Sequence, residues 1–217
     1  MRLTIVAGAI PNFMKIAPLI HAIEGRSSYA SSFAGIRRSE KASEDGERLK
    51  YRLVHTGQHY DPKLSATFFD ELGIPKPNVN LEVGSGTQAE QTAGIMLGFE
   101  KELMAHPSDL VIVVGDVTST MACSITAKKL NIKVAHIEAG IRSFDMTMPE
   151  EINRMVTDSI TDLFFTTSHF ANENLRKAGV PDDKIFFVGN VMIDTLLANR
   201  SRFIKPAIWD ELRLKEK

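Results

Sequence analysis

Leu110-Val111-Ile112-Val113-Val114, followed by Gly115-Asp116-Val117-Thr118, is the stretch that decides the fold. A short unbroken apolar run of this kind has no solvent face, so a strand built from it is buried on both sides. The glycine and the polar turn then lead into 118–130, whose spacing predicts a helix. Similar runs recur at 3–7, 51–54, 79–83, 134–137, 163–166 and 185–188, and helical spacing fills 13–24, 63–72, 87–106, 150–159 and 168–178. Strand and helix alternate almost throughout. That pattern predicts an α/β protein with a Rossmann-like, doubly wound parallel sheet covered by helices on both faces. Gly73 and Gly179, each with a proline two residues on, read as helix C-caps, and Asn12, Thr118 and Ser168 read as N-caps.

Two segments break the rhythm. Residues 26–49 hold many Ser, Arg, Glu and Lys and few apolar residues, which reads as a polar insertion loop, with an exposed helical extension as the alternative. Residues 193–217 begin as an amphipathic helix and carry the one tryptophan, Trp209, beside Ile208 and Leu212, so this segment needs a surface to pack against. The expected organisation is therefore a domain over 1–192 and a terminal segment over 193–217.

Charge and composition narrow the partners. The 217 residues hold 26 Lys plus Arg against 27 Asp plus Glu, a balance that argues against nucleic acid or an anionic membrane as the main partner. No apolar run approaches the roughly 20 residues needed to span a bilayer. A single cysteine, Cys123, excludes an internal disulfide and a cysteine-rich zinc site, and no His, Cys, Asp and Glu cluster has metal-ligand spacing, so no metal is expected. With no signal-peptide pattern at Met1–Val6, the expected location is the cytoplasm.

In an open parallel sheet, ligands bind beyond the carboxyl ends of the strands. The residues there are polar and glycine-rich: Gly8 to Asn12 and then Lys15, Thr56 to Asp61, Gly115 to Thr118, Glu138 to Arg142, and Gly189-Asn190. The first turn is either a phosphate cradle at a helix N-terminus or a plain strand-to-helix turn, since it lacks the glycine-rich fingerprints. Asp116 either emerges at the sheet edge as an acid or base or caps the helix from Thr118. Glu138 is either used chemically or paired with Arg142, and Glu150 with Arg154 is an i,i+4 pair at a helix start. Two acids and two cations in this short stretch also suit a diphosphate sugar, with cations for phosphate and carboxylates for proton transfer. Among the histidines, His59 and His136 stand in positions where chemistry could occur.

Gly8-Ala9-x-Pro11-Asn12 with Lys15, Thr56-Gly57-Gln58-His59, Gly115-Asp116-Val117-Thr118-Ser119-Thr120, His136-Ile137-Glu138-Ala139-Gly140-Ile141-Arg142, Pro149-Glu150-Glu151-x-Asn153-Arg154 and Gly189-Asn190 together resemble the non-hydrolysing UDP-N-acetylglucosamine 2-epimerases. The resemblance implies one half of a glycosyltransferase-B-type architecture of two Rossmann-like domains, with 193–217 as a crossover helix toward a separate C-terminal domain. It implies interconversion of UDP-N-acetylglucosamine and UDP-N-acetylmannosamine, by anti elimination of UDP to a 2-acetamidoglucal and re-addition to the opposite face. No cofactor is needed for that chemistry, and the product serves surface polysaccharide synthesis.

Carried onto this chain, the resemblance implies catalytic roles for Asp116, Glu138 and Glu150 without singling out one base. Lys15, Arg142 and Arg154 are implied to bind the UDP-sugar, while Gln58 and His59 match a region that binds a second, activating UDP-N-acetylglucosamine. Where the family carries Arg before the proline, this chain has Ile10, which removes a forked cation from the mouth of the site. An uncovered cleft face further predicts a homodimer or other self-association.

Overall fold

The structure, a computed structural model, describes residues 1–25, 49–57, 62–206 and 208–212. The polar insertion expected at 26–49 lies outside the described residues except for Leu49. Among the described residues seven parallel strands form one sheet: β1 (Arg2–Ala7), β2 (Lys50–His55), β3 (Val79–Asn80), β4 (Leu110–Val114), β5 (Lys133–Ile137), β6 (Leu163–Thr166) and β7 (Ile185–Phe187). Their order is β3-β2-β1-β4-β5-β6-β7, so the winding reverses between β1 and β4 and opens a crevice beyond those two carboxyl ends. The connecting helices are α1 (Ile10–Ile23), α2 (Pro62–Leu72), α3 (Gln88–Ala105), α4 (Thr118–Lys129), α5 (Pro149–Ile160) and α6 (His169–Lys177).

Apolar residues on successive strand positions divide between two cores, as a sheet buried on both faces requires. Leu3, Ile5, Ala7, Leu53, Ile112 and Val114 pack with Phe13, Ile16 and Ile20 of α1 and Phe69 of α2. Val6, Val54, Val111, Val113 and Val134 pack on the other face with Ile95, Phe99 and Leu103 of α3 and with Ala122, Cys123 and Ala127 of α4. Burying the aliphatic side chains of one strand such as β4 is worth about 1.5–3 kcal/mol each, which makes the central strands the most firmly held part of the molecule.

Helix ends follow local chemistry, with two corrections. Thr87 and Glu90 form a reciprocal capping box at α3, and the Ser168 hydroxyl accepts from Ala171 N–H at 3.2 Å. Asn12 is not the N-cap of α1: Ala9 is, and Asn12 reaches back from the first turn to accept from Ala9 N–H at 3.0 Å. Thr118 likewise opens α4 while Val117 holds the cap position, with no side-chain cap bond. The third strand, expected over 79–83, stops at Asn80 because Glu82 turns into the left-handed region at φ 53°. At the carboxyl end, α7 (Val191–Asn199) starts two residues before the expected boundary and runs into a 3₁₀ turn (Arg200–Arg202), and the one-turn α8 (Ile208–Glu211) follows further along the chain. The α7 residue Thr195 donates its hydroxyl to Met14 O at 2.5 Å, which fastens α7 to α1.

Candidate active site

The crevice between β1 and β4 is assembled by backbone-directed bonds. Asn12 Nδ2 donates to Val114 O at 2.9 Å, tying the first turn of α1 to the end of β4. The next residue after β4, Gly115, has φ 71°, and a Cβ there would lie 3.1 Å from Lys15 Nζ and 3.4 Å from Glu138 Oε2. Glycine is favoured there by conformation, and the ends of two side chains lie close against it. Glu138 itself sits at φ 71°, a costly conformation for a residue with a side chain and one that clusters at functional sites.

Ion pairs gather at this glycine and at Asp116, the residue after it. Lys15 Nζ lies 2.5 Å from Glu138 Oε2, with side chains 14% and 10% exposed. Arg154 of α5 bonds Asp116 Oδ2 through Nη2 and Glu151 Oε2 through Nη1, the latter at 2.9 Å. Burial acts to lower the Arg154 pKa, and the Glu151 and Asp116 carboxylates outweigh it, holding the guanidinium above its ordinary value. Asn153 Nδ2 donates to Asp116 O at 2.9 Å, so α5 holds both the backbone and the side chain of Asp116.

Behind these pairs lies a buried hub. Asp158 Oδ1 is 2.7 Å from His136 Nδ1, while Oδ2 is 2.7 Å from Arg142 Nη1 and accepts from Gly140 N–H at 3.0 Å. His136 Nε2 meets Gly115 O at 2.8 Å, which connects the hub to the crevice turn. Burial pushes the Asp158 carboxyl up, but His136 and Arg142 more than offset this and hold it below the ordinary carboxylate range.

Chemically, the crevice offers two carboxylates that can accept or return a proton, each beside a cation that can stabilise an anion. Among the described residues no group of three His, Cys, Asp or Glu side chains is placed to hold a metal ion. A groove of about 550 Å³ lies between α1, α2 and α7, lined by Met14, Phe68, Leu72, Leu196 and Phe203 among others, and it carries neither of these pairs.

The sheet order, the crevice and the paired charges coincide with a match in sequence: the UDP-N-acetylglucosamine 2-epimerase family model covers residues 41–217. The chain belongs to that family. The UDP-N-acetylglucosamine 2-epimerase of Methanocaldococcus jannaschii is 39% identical over 199 residues, which is 92% of this chain and 49% of that protein. The UDP-2,3-diacetamido-2,3-dideoxy-D-glucuronate 2-epimerase of Pseudomonas aeruginosa is 36% identical over 95% of this chain and 53% of its own length. A crystal structure of the M. jannaschii epimerase in complex with UDP-GlcNAc and UDP superposes with a TM-score of 0.82 at 37% identity, covering 98% of this chain and 53% of that one. The chain thus spans about half the length of the curated relatives it matches.

Of the epimerase-family positions picked out in the sequence, the structure brings Lys15, Asp116, Glu138 and Arg154 together at the crevice. Glu150, in the first turn of α5, is half-buried and makes no ion pair among the described residues. Arg142 engages Asp158 and its own neighbour, Ile141 O at 2.8 Å, instead of either crevice pair. Gln58 and His59 lie outside the described residues.

The local pairings expected from spacing are replaced. Glu138 takes Lys15 and not Arg142, Arg154 takes Glu151 and Asp116 and not Glu150, and Asp116 forms an ion pair and does not cap α4. Sequence reasoning missed Glu151 and Asp158. The available signal was the inverted face of α5: Glu151, Arg154 and Asp158 recur at helical spacing, and Glu151, Asn153, Thr157 and Asp158 are buried while Ile152 and Met155 are exposed.

Proposed function

We propose that this chain is the N-terminal half of a non-hydrolysing UDP-N-acetylglucosamine 2-epimerase, completed by a C-terminal domain carried on further polypeptide. The observation that carries the reading is the convergence of Lys15, Asp116, Glu138 and Arg154, from four separate elements, at the switch-point crevice. In this reading Asp116, Glu138 and Glu150 are the groups that remove and return the proton at C2 of the sugar. Lys15 and Arg154 stabilise the anion that develops as UDP leaves and the 2-acetamidoglucal forms, and UDP re-adds to the opposite face to give UDP-N-acetylmannosamine. Arg142, held on Asp158, acts at the rim of the UDP-sugar site, and Gln58 and His59 serve a second nucleotide-sugar site.

The crossover reading of 193–217 is supported by its exposed apolar side chains, Phe203 at 62% and Ile204 at 87% exposure, which suit contact with a second domain or a second copy of the chain. A nucleotide-sugar substrate and a single buried cysteine, Cys123, fit a cytoplasmic enzyme.

The test is product chromatography with UDP-N-acetylglucosamine, using the 217-residue chain alone and with a separately expressed C-terminal domain. Formation of UDP-N-acetylmannosamine only with the added domain is the expected result, and Ile10→Arg should raise it. Release of free N-acetylmannosamine and UDP would show a hydrolysing enzyme. No turnover in any combination, Ile10→Arg included, would overturn the reading.

A further inference from the structure

The first turn of α5 carries two adjacent carboxylates in opposite circumstances. Glu150 is half-buried and unpaired among the described residues, whereas Glu151 is 1% exposed. A buried carboxylate is unfavourable unless its lone pairs are satisfied. Those of Glu151 are: Oε2 accepts from Ser143 N–H at 2.9 Å, from the Ser143 hydroxyl at 3.1 Å and from Arg154 Nη1 at 2.9 Å, and Oε1 accepts from Phe144 N–H at 3.2 Å. Burial pushes its carboxyl up, and these donors reverse the shift and hold it below the ordinary range. With Oε2 fully engaged and the side chain enclosed, Glu151 has no route to a substrate proton.

Its two sets of bonds reach two parts of the site. One set clamps the Ser143–Phe144 turn, where Phe144 adopts φ 61° and needs its backbone held. The other grips one arm of the Arg154 fork, whose second arm meets Asp116. A guanidinium is planar and rigid, so fixing one nitrogen fixes the direction of the other.

The geometry points to Glu151 as the positioning residue of the site, aiming Arg154 at Asp116 and anchoring the loop that joins β5 to α5, while taking no part in proton transfer. Its catalytic consequence rests on the epimerase reading above; its structural consequence does not.

The experiment compares Glu151→Gln with wild type in the 217-residue chain and in the chain complemented by the C-terminal domain. In the chain alone, amide exchange at Ser143 and Phe144 should accelerate about tenfold while the β4 and β5 amides keep their protection. The Arg154 side-chain nitrogen signals should be distinct in the wild type and average in the variant. In the complemented enzyme kcat should fall about 10- to 100-fold with KM little changed. In an Arg154→Ala background the same substitution should cost less than about twofold further, because Arg154 is no longer there to be aimed and only the hold on Ser143 and Phe144 is left to lose. Unchanged exchange and Arg154 signals, or a full additional loss in the Arg154→Ala background, would overturn the assignment. If Glu151→Gln does not fold, Glu151→Asp keeps the charge on a shorter stem and should show the same exchange and signal changes in smaller measure; wild-type behaviour of that variant also overturns it. An inactive wild-type complement would sink the epimerase reading, and the exchange and side-chain signals would still decide the role of Glu151.

Discussion

Lys15 and Glu138, 123 residues apart in sequence, meet at 2.5 Å and join α1 to the end of β5 across the switch point of the sheet. Both side chains are largely enclosed, so this pair is screened far less than a surface salt bridge. Removing one partner leaves the other as an uncompensated buried charge. Lys15→Met should therefore cost about 3 kcal/mol in urea unfolding, and the double variant Lys15→Met/Glu138→Gln should recover part of that loss. Equal destabilisation of the single and double variants would show that the pair does not couple the two elements.

Asp158 is a buried carboxylate engaged at both oxygens, with His136, Arg142 and Gly140 N–H as partners. Asp158→Asn should cost about 3–5 kcal/mol and release the Gly140–Arg142 turn, seen as lost amide protection there.

The acid limb of the stability profile follows from the same group. Asp158 and Glu151 are both held below the ordinary carboxylate pKa in the folded chain. Their contribution is complete above the unfolded value near pH 4 and is lost as pH falls through the lowered folded values, because the unfolded chain takes up protons first. The thermal midpoint should hold from neutrality to about pH 5 and then fall steeply, and Asp158→Asn should flatten that slope.

Two glycines should respond unequally to alanine. A Cβ at Gly140, φ 78°, would lie 2.4 Å from the Ala171 carbonyl oxygen, a backbone atom that cannot step aside. At Gly115, φ 71°, it would meet the flexible end of Lys15 at 3.1 Å. Gly115→Ala should cost about 1–2 kcal/mol from left-handed strain, and Gly140→Ala about 3–5 kcal/mol from strain and overpacking together. Denaturant midpoints for the two variants, measured side by side, check the order.

Asp116→Asn and Glu138→Gln keep the shape of each side chain and remove its capacity to carry a proton. In the complemented enzyme each should lower turnover about 10²- to 10⁴-fold. Nucleotide binding, followed by calorimetry, should change far less. A variant that retains wild-type turnover is not the proton-transfer group.

The architecture was legible because it rests on signals carried by single segments. Leu110–Val114 is apolar at every position, as a strand buried on both faces must be, and the helices between such strands carry their own spacing and stop signals, among them Gly73 and Gly179. Where local preference and tertiary geometry disagreed, the ends moved: β3 is cut short at Glu82, and Asn12 serves the first turn of α1 from inside the helix. The site was legible only as a set of chemical types at strand ends.

By itself the sequence determined an α/β protein with a parallel sheet, its strand and helix order, and the placing of Lys15, Asp116, Glu138 and Arg154 in segments that such a sheet gathers at one edge. Tertiary structure alone decided which of them pair. Glu138 and Arg142, or Glu150 and Arg154, are close in sequence, and nearness makes them reasonable partners. But α5 turns its polar face inward, so Glu151, Arg154 and Asp158 enter the interior together, and Lys15 arrives from the far side of the sheet. Once these charges are enclosed, each takes the partner that satisfies it best in three dimensions, since an unpaired buried charge is more costly than any local preference is favourable.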